Sequence, residues 1–252
     1  MGYSSEVTKA VLLVGGLGTR LRSVVASTPK PLASVGDRPF LELLVRQLRY
    51  QGIRHLVLCT GYLAHEIEKE LGEGQEWEVT IEYSKEPYLM GTAGAVKFAE
   101  PRLREVSDFL VMNGDSFMEI DFQKLINFHR KSGGIATIAV LRRKNKMRYG
   151  TVQVTRGDRV SGFQEKIDGD LIGFVNAGIY VFNRKIFDHI PEGPASLEKD
   201  VFPKLLDHGV YASKQHGVFI DIGTPEDYAR AQGLSKQLYD AACRKERSGD
   251  SD

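Results

Sequence analysis

Short apolar runs alternate with helical patterns through the first half of this chain, and that alternation sets its class. "AVLLV" (10–14), "HLVLCT" (55–60), "VTIEYS" (79–84), "DFLVMNGDS" (108–116) and "ATIAVL" (136–141) read as strands. The first is apolar throughout and followed by glycines, as suits a strand buried on both faces. Between the runs lie "PFLELLVRQLRYQG" (39–52), "LAHEIEKEL" (63–71), "TAGAVKFAE" (92–100) and "DFQKLINFHRKSG" (121–133). In 39–52 the apolar residues 40, 41, 43, 44 and 48 share one helical face, and Gly52 ends the pattern. Asp121 suits the N-cap of the last helix. Strands alternating with helices predict a mostly parallel sheet covered on both faces.

After residue 148 the character changes. "YGTVQVTRGDRVSGFQEK" (149–166) alternates around a Gly-Asp turn and predicts a hairpin. A strand follows at 176–183, then a helix at 196–209 with Ser196 as its cap. Two more strands cover 210–215 and 217–223, and a long helix runs from Pro225 to 246. No Pro/Gly/Ser-rich linker divides the chain. The expectation is one α/β domain over 7–246, a Rossmann-like three-layer sandwich on a mostly parallel mixed sheet, with flexible termini at 1–6 and 247–252.

Charge and cysteine usage narrow the function classes. The net charge of +1 gives no footprint for nucleic acid. The basic cluster Arg142, Arg143, Lys144, Lys146 and Arg148 reads as a solvated loop, with a local anion site as the alternative. Cys59 and Cys243 lie far apart and suggest reduced thiols of a cytoplasmic protein. The histidines form no ligand-spaced cluster with them, which argues against structural zinc. The apolar run before Gly15 is too short for a signal peptide or a membrane span.

The segment from Gly15 to Pro39 spends more than one loop's length without an apolar period, and long loops in compact domains serve function. It follows the first strand, and open α/β sheets bind ligands outside the carboxyl ends of their strands. Gly15, Gly16 and Gly18 let the backbone aim N–H groups at an anion, and Arg20 adds a planar cation suited to phosphate. A tight strand-to-helix turn with a surface Arg is the other reading. Leu21 stands where a dinucleotide fingerprint needs its third glycine, and no Gly-Lys-Ser/Thr marks a Walker loop. In "TPKP" (28–31) two prolines stiffen the backbone around Lys30. Alone this reads as a polyproline-like surface turn. Downstream of the glycine loop it reads as a second phosphate ligand.

"GGLGTRL…PKPL" resembles the signature of the sugar-phosphate nucleotidyltransferases. The likeness continues in order through "GTAGA" (91–95), "NGDS" (113–116), "FQEK" (163–166), "NAGIYVF" (176–182) and "FIDIGTPEDY" (219–228). Within the family, "GTRLRSVV", "RYGTV" and "FIDIGTPEDY" look most like the subgroup that activates D-glycero-α-D-manno-heptose 1-phosphate with GTP for cell-surface polysaccharide. The subgroup's proline before the "GTAGA" position is absent here, where "YLM" precedes Gly91.

The resemblance implies nucleotidyl transfer with GTP and a sugar 1-phosphate as partners, no membrane partner, and a monomer or homodimer. It places Leu13, Gly15, Gly16, Gly18, Thr19, Arg20, Glu86, Gly91 and Thr92 at the nucleotide, with Arg20 and Lys30 at the reacting phosphates. It assigns Asp115 and Asp221 to one Mg²⁺; on residue type alone, a turn aspartate and a solvent-facing strand aspartate read equally well. Gly150, Glu165, Lys166, Asn176 and Gly178 fall on the sugar side. Glu198 and Asp200 read as first-turn helix charges. Other sugar–nucleotide pairs stay open: mannose 1-phosphate with GTP, or glucose 1-phosphate with UTP or dTTP. So does a non-catalytic nucleotide-sugar-binding regulatory subunit.

Overall fold

The computed structural model describes residues 8–21, 24–25, 28–143, 151–164 and 172–243. β1 (Lys9–Leu13) leads into the glycine-rich loop, which carries the 3-10 turns Thr19–Leu21 and Lys30–Leu32 and a small hairpin, β2 (Ser34–Val35) and β3 (Arg38–Pro39). Then come α1 (Phe40–Tyr50), β4 (His55–Thr60), α2 (Ala64–Leu71), β5 (Thr80–Lys85), α3 (Gly91–Phe98) and β6 (Asp108–Asn113). β7 (Ser116–Met118), α4 (Phe122–Ser132) and β8 (Ala136–Arg143) follow. The hairpin β9 (Thr151–Val154) and β10 (Val160–Gln164) precedes β11 (Gly173–Asn183). A π-helical turn (Leu197–Val201) runs into α5 (Phe202–Leu205), and β12 (Val210–Gln215), β13 (Phe219–Asp221), α6 (Pro225–Gly233) and α7 (Ser235–Ala242) end the described chain.

Nine of these strands form one sheet. β5, β4, β1 and β6 lie side by side and parallel, with Val11 opposite both Val57 and Val111. Their carboxyl ends share one edge. β11 joins β6 antiparallel, so the amino-terminal part of β11 comes to that same edge. β8, β12, β9 and β10 complete the sheet beyond β11. Strand alternation sends Ala10 and Leu12 to one face and Val11 to the other. The first face packs under α1, α2, α4 and α7, the second under α3 and α5, so one sheet serves two cores. The single α/β domain with helices on both faces is as expected. Among the described residues no helix is long and apolar enough to cross a membrane.

Three elements differ from the sequence reading. The expected strand 108–116 stops at Asn113, because Gly114 packs against β1: a Cβ there would lie 2.5 Å from Val14 Cγ1 and 2.7 Å from Leu13 O. The chain turns and continues as β7, which pairs with β13 in a separate small sheet. The expected helix 196–209 is a π-turn, a short α-helix and a 3-10 turn. Pro203 explains the break, since its ring and missing N–H disfavour a bond to the carbonyl four residues back. The expected helix 225–246 bends at Leu234 (φ −106°, ψ 5°), after Gly233, a poor helix former. The bend lays α7 on α1, where Leu238, Ala241 and Ala242 enter the core and Tyr239 OH donates to Pro39 O at 3.3 Å. Both cysteines are free, as expected; Cys59 is buried, and burial pushes its thiol far up.

Candidate active site

The carboxyl ends of β1, β5 and β6 open onto a cavity of about 430 Å³. Leu13, Gly15 and Gly16 form one wall, Glu86, Gly91 and Thr92 another, and Lys30, Asn113 and Asp115 the floor. Eight of the residues expected to bind ligands thus meet here: Leu13, Gly15, Gly16, Lys30, Glu86, Gly91, Thr92 and Asp115. The glycines of the loop do different things. Gly18 adopts φ +59°, and a Cβ there would lie 2.9 Å from Lys30 Cβ. Its bare backbone lets the stiff Pro-Lys-Pro segment pass beneath, delivering Lys30 to the cavity. Gly18 is therefore a packing residue of the loop, one step behind the lining. A Cβ at Gly16 would touch no atom within 4 Å, so the missing side chain there keeps cavity space clear.

The Gly114 turn and the β7–β13 pairing bring two aspartates to one place. Asp221 pairs in register with Ser116, and Ile222 N donates to Asp115 O at 2.9 Å. Lys30 Nζ donates to Asp115 Oδ2 at 2.5 Å and lies within 3.3 Å of the position a Cβ would take at Gly223. Asp221 Oδ1 accepts from Gly223 N at 2.7 Å. Burial first, and the Asp115 carboxylate second, push Asp221 up to about 6, against the pull of Lys30 and the Gly223 N–H. Two carboxylates held together at this cost are the oxygen donors that a hard divalent cation takes. Among the described residues no group of three or more His, Cys, Asp or Glu could hold a metal, so a cation here would complete its shell with oxygens from elsewhere.

Glu86 follows β5 and turns into the cavity. Its Oε2 accepts from Met90 N at 3.1 Å, and its Oε1 lies 2.5 Å from where a Cβ of Gly15 would be. Burial raises its pKa above the carboxylate norm, and the Met90 N–H partly offsets this. Gly91 (φ +69°) and Gly94 are glycine because the 193–197 segment docks on them: added Cβ atoms would lie 2.5 Å from Ala195 O and 2.4 Å from Gly193 O.

The second half of the chain closes the far wall. β11 bulges between Asn176 and Tyr180, and Gly178 (φ +71°) presses against Asn113, whose Nδ2 would lie 2.6 Å from a Cβ there. Asn176 and Gly178 are therefore behind Asn113 and do not line the cavity directly. Two residues that the sequence reading did not select stand out. Asn113 Oδ1 is buried and has no hydrogen-bond partner among the described residues. Its signal was a polar residue closing an apolar strand, within "NGDS". Glu198 is a first-turn helix charge, as read, but it points inward and accepts bonds from Thr92, Ser196 and Tyr180. Asp200 stays a helix-start charge, accepting from Ser196 N at 2.8 Å.

Thr19 and Arg20 are exposed and do not line the cavity in this structure. The 3-10 turn that carries them spends its buried position on Leu21. Gly150, Glu165 and Lys166 lie outside the described residues, as do Lys144, Lys146 and Arg148 of the basic cluster. Within that cluster Arg143 Nη2 donates to Phe219 O at 3.2 Å, so it is tied to the β13 strand.

A family model described as nucleotidyl transferase matches residues 9–237. The mannose-1-phosphate guanylyltransferase of Mycobacterium tuberculosis is 37% identical over 225 residues, covering 88% of this chain and 62% of its own length. The mannose-1-phosphate guanylyltransferase catalytic subunit beta of Drosophila melanogaster is 37% identical over 224 residues, covering 88% and 61%. The chain thus spans about three fifths of the length of these relatives. The crystal structure of HddC from Yersinia pseudotuberculosis complexed with GMP-PN has a TM-score of 0.80 at 31% identity, over 90% of this chain and 99% of that one. With the glycine loop, Lys30 and the two strand-end aspartates all inside the matched span, the chain belongs to the nucleotidyl transferase family.

Proposed function

We propose that this chain transfers a guanylyl group from GTP to a sugar 1-phosphate. The observation that carries the reading is the convergence of Gly15, Gly16, Lys30, Glu86 and Asp115 on one cavity. In the reaction a phosphate oxygen of the sugar 1-phosphate bonds to the α-phosphorus of GTP. The bond from that phosphorus to the bridging oxygen breaks, and pyrophosphate leaves with the electron pair. The nucleophile is already an anion, so no general base is needed. The protein's task is to align two polyanions and to stabilise charge as it shifts.

The loop backbone at Gly15 and Gly16 would face the triphosphate, and Lys30 would bring its ammonium to the reacting phosphates. Arg20 would reach them by folding inward from its exposed turn. Asp115 and Asp221 would hold Mg²⁺, which when bound neutralises phosphate charge and orients the triphosphate. Glu86 is the candidate reader of guanine. Guanine offers two adjacent donors, N1–H and the 2-amino group, and a carboxylate is acceptor-only. Uracil places carbonyls on both sides of its N3–H, which a carboxylate repels. The GMP-PN bound to HddC and the guanylyltransferase names of the curated relatives support the same base.

The sugar side rests on Lys166, Glu165, Gly150 and Asn176 by resemblance. The subgroup motifs favour D-glycero-α-D-manno-heptose 1-phosphate. The names of the curated relatives favour mannose 1-phosphate. Both are manno-configured sugar 1-phosphates, and that is the substrate class proposed. A cytoplasmic location goes with these substrates. The test is a matrix of GTP, UTP, dTTP and ATP against manno-heptose, mannose and glucose 1-phosphates, scored by Mg²⁺-dependent pyrophosphate release. Release with GTP and a manno-configured phosphate is expected. Binding without release by any pair would leave a regulatory binder and sink the enzyme reading.

A further inference from the structure

Glu198 lines no part of the cavity, yet it joins the two walls that do. Its Oε2 accepts from Thr92 Oγ1 at 3.1 Å and from Ser196 Oγ at 2.9 Å, and its Oε1 accepts from Tyr180 OH at 3.0 Å. Each donor is itself held. Thr92 Oγ1 accepts from Leu197 N at 2.8 Å, and Tyr180 OH accepts from Asn176 Nδ2 at 2.8 Å. Asn176 Oδ1 in turn accepts from Gly178 N at 2.9 Å, and Gly178 packs on Asn113. The chain of bonds therefore starts at Thr92 on the nucleotide wall and ends at Gly178, which packs on Asn113 of the cavity floor. It runs the long way round, through the strand assigned to the sugar.

The directions are fixed by chemistry. An ionised carboxylate only accepts, so all three hydroxyls must donate to it. Tyr180 is fully buried, and burial together with Glu198 keeps its phenol protonated and donating. The residue that makes this possible lies in the π-helical turn Leu197–Val201, a geometry that recurs at functional sites. A regular α-turn would place residue 198 at another angle. The ends of α3 and the β11 bulge belong to elements far apart in sequence, and Glu198 bonds both.

We propose that Glu198 is a positioning residue that couples the nucleotide wall to the sugar wall, so that Thr92 and Asn176 hold one mutual register. The proposal rests on the guanylyltransferase reading above. Its working parts are the acceptor-only hub and the hydroxyls of Thr92 and Tyr180, with neither Glu198 nor Tyr180 touching substrate.

The test is steady-state kinetics on Glu198→Gln, Tyr180→Phe, Thr92→Val and the double variant Glu198→Gln/Tyr180→Phe, with the best substrate pair from the matrix. A Gln offers one acceptor and one donor where two acceptors are needed, so it must release one wall. Residues in one network are non-additive, so Tyr180→Phe should cost about fivefold or more in kcat/KM in the wild-type background and less than about twofold in the Glu198→Gln background. Tyr180→Phe should also raise the KM for GTP, although Tyr180 lies on the sugar-side strand. Thr92→Val, which removes the hydroxyl that donates to Glu198, should raise the KM for the sugar phosphate as well as that for GTP, although Thr92 lies on the nucleotide wall. Equal cost of Tyr180→Phe in both backgrounds overturns the proposal and leaves the enzyme reading standing. No pyrophosphate release by wild type with any pair ends both. If Glu198→Gln fails to fold, the proposal stands or falls on the sugar-phosphate KM of Thr92→Val and on the GTP KM of Tyr180→Phe.

Discussion

Gly15 and Gly16 are neighbours, but the fold requires only the first. A Cβ on Gly15 would strike Glu86 Oε1 at 2.5 Å and Gly61 N at 3.0 Å, while one on Gly16 would meet nothing within 4 Å. Gly16 is also not among the glycines at positive φ. Gly16→Ala should therefore keep or slightly raise stability, by about 0.4–1 kcal/mol from reduced freedom of the unfolded chain. The same methyl should raise the KM for GTP, because it enters the cavity. Gly15→Ala should lower the thermal midpoint instead. Scanning fluorimetry beside initial rates separates the two, and an unchanged GTP KM for Gly16→Ala would remove the loop from the nucleotide site. Glu86 supplies the second prediction at this scale. Glu86→Gln keeps an oxygen for the Met90 N–H but turns an amino group toward the base. Sites built for a base's hydrogen bonds discriminate by about 10²-fold or more, so the variant should lose much of its preference for GTP over UTP. Selectivity that survives the substitution would assign guanine recognition elsewhere.

β6 carries polar groups at both ends, and only one end faces the cavity. At its start Asp108 accepts from Asn183 Nδ2 at 3.0 Å and Arg130 Nε at 3.3 Å, and lies 3.7 Å from the buried His129 Nε2. His129 Nδ1 also meets Thr137 Oγ1 at 2.8 Å, so the cluster ties α4 to β6, β8 and β11 of the central sheet. His129 first, then Asn183 and Arg130, hold Asp108 below the usual carboxylate range, against the effect of burial. An acid depressed on folding adds stability that is present above its unfolded pKa and lost as pH falls through the folded one. Asp108→Asn should thus cost about 1–3 kcal/mol near neutral pH and progressively less below about pH 4. Urea unfolding at a series of pH values reads this directly, and a cost independent of pH would show that charge is not what Asp108 contributes. The same scale shows what was legible beforehand. The parallel strands followed from apolar runs, and the caps from residue type: Asp121 accepts from Lys124 N at 2.8 Å, and Ser196 from Lys199 N at 3.3 Å. The breaks at Leu234 and within 197–208 were hidden, because α7 bends to reach α1 and the π-turn forms where Pro203 meets a docked segment. Glu198 was hidden for the same reason, since two of its three partners, Thr92 and Tyr180, come from α3 and β11.

Across the whole molecule, labour divides along the chain. Every described residue lining the cavity falls within 13–31 or 86–115, the parallel half of the sheet. β11 and the 197–201 turn brace it from behind, and β13 delivers Asp221 from near the end of the described chain. Motif order could suggest which residues belong to the site, but only the Gly114 turn and the β7–β13 pairing explain how residues 115 and 221 come together. This arrangement makes an opposed pair of predictions. Asp221 is held up to about 6 by burial and by Asp115, so at neutral pH its ionised form destabilises the metal-free fold. The sign follows from linkage: an acid whose pKa rises on folding contributes stability at low pH that is lost as pH climbs through the folded value. Asp221→Asn should raise the metal-free thermal midpoint at pH about 7.5, with the gain fading toward pH about 4. In the presence of ligand the order reverses. Mg²⁺ with GTP at about 100 times Kd should stabilise wild type by about 2.7 kcal/mol, or roughly 5–10 °C for a domain of this size. Asp221→Asn should forfeit most of the Mg²⁺-dependent part of that shift, while the shift from GTP in EDTA stays as in wild type. A fall in the metal-free midpoint would mean that the carboxylate pair is not mutually repelling. A full Mg²⁺ response in the variant would take Asp221 out of the metal site.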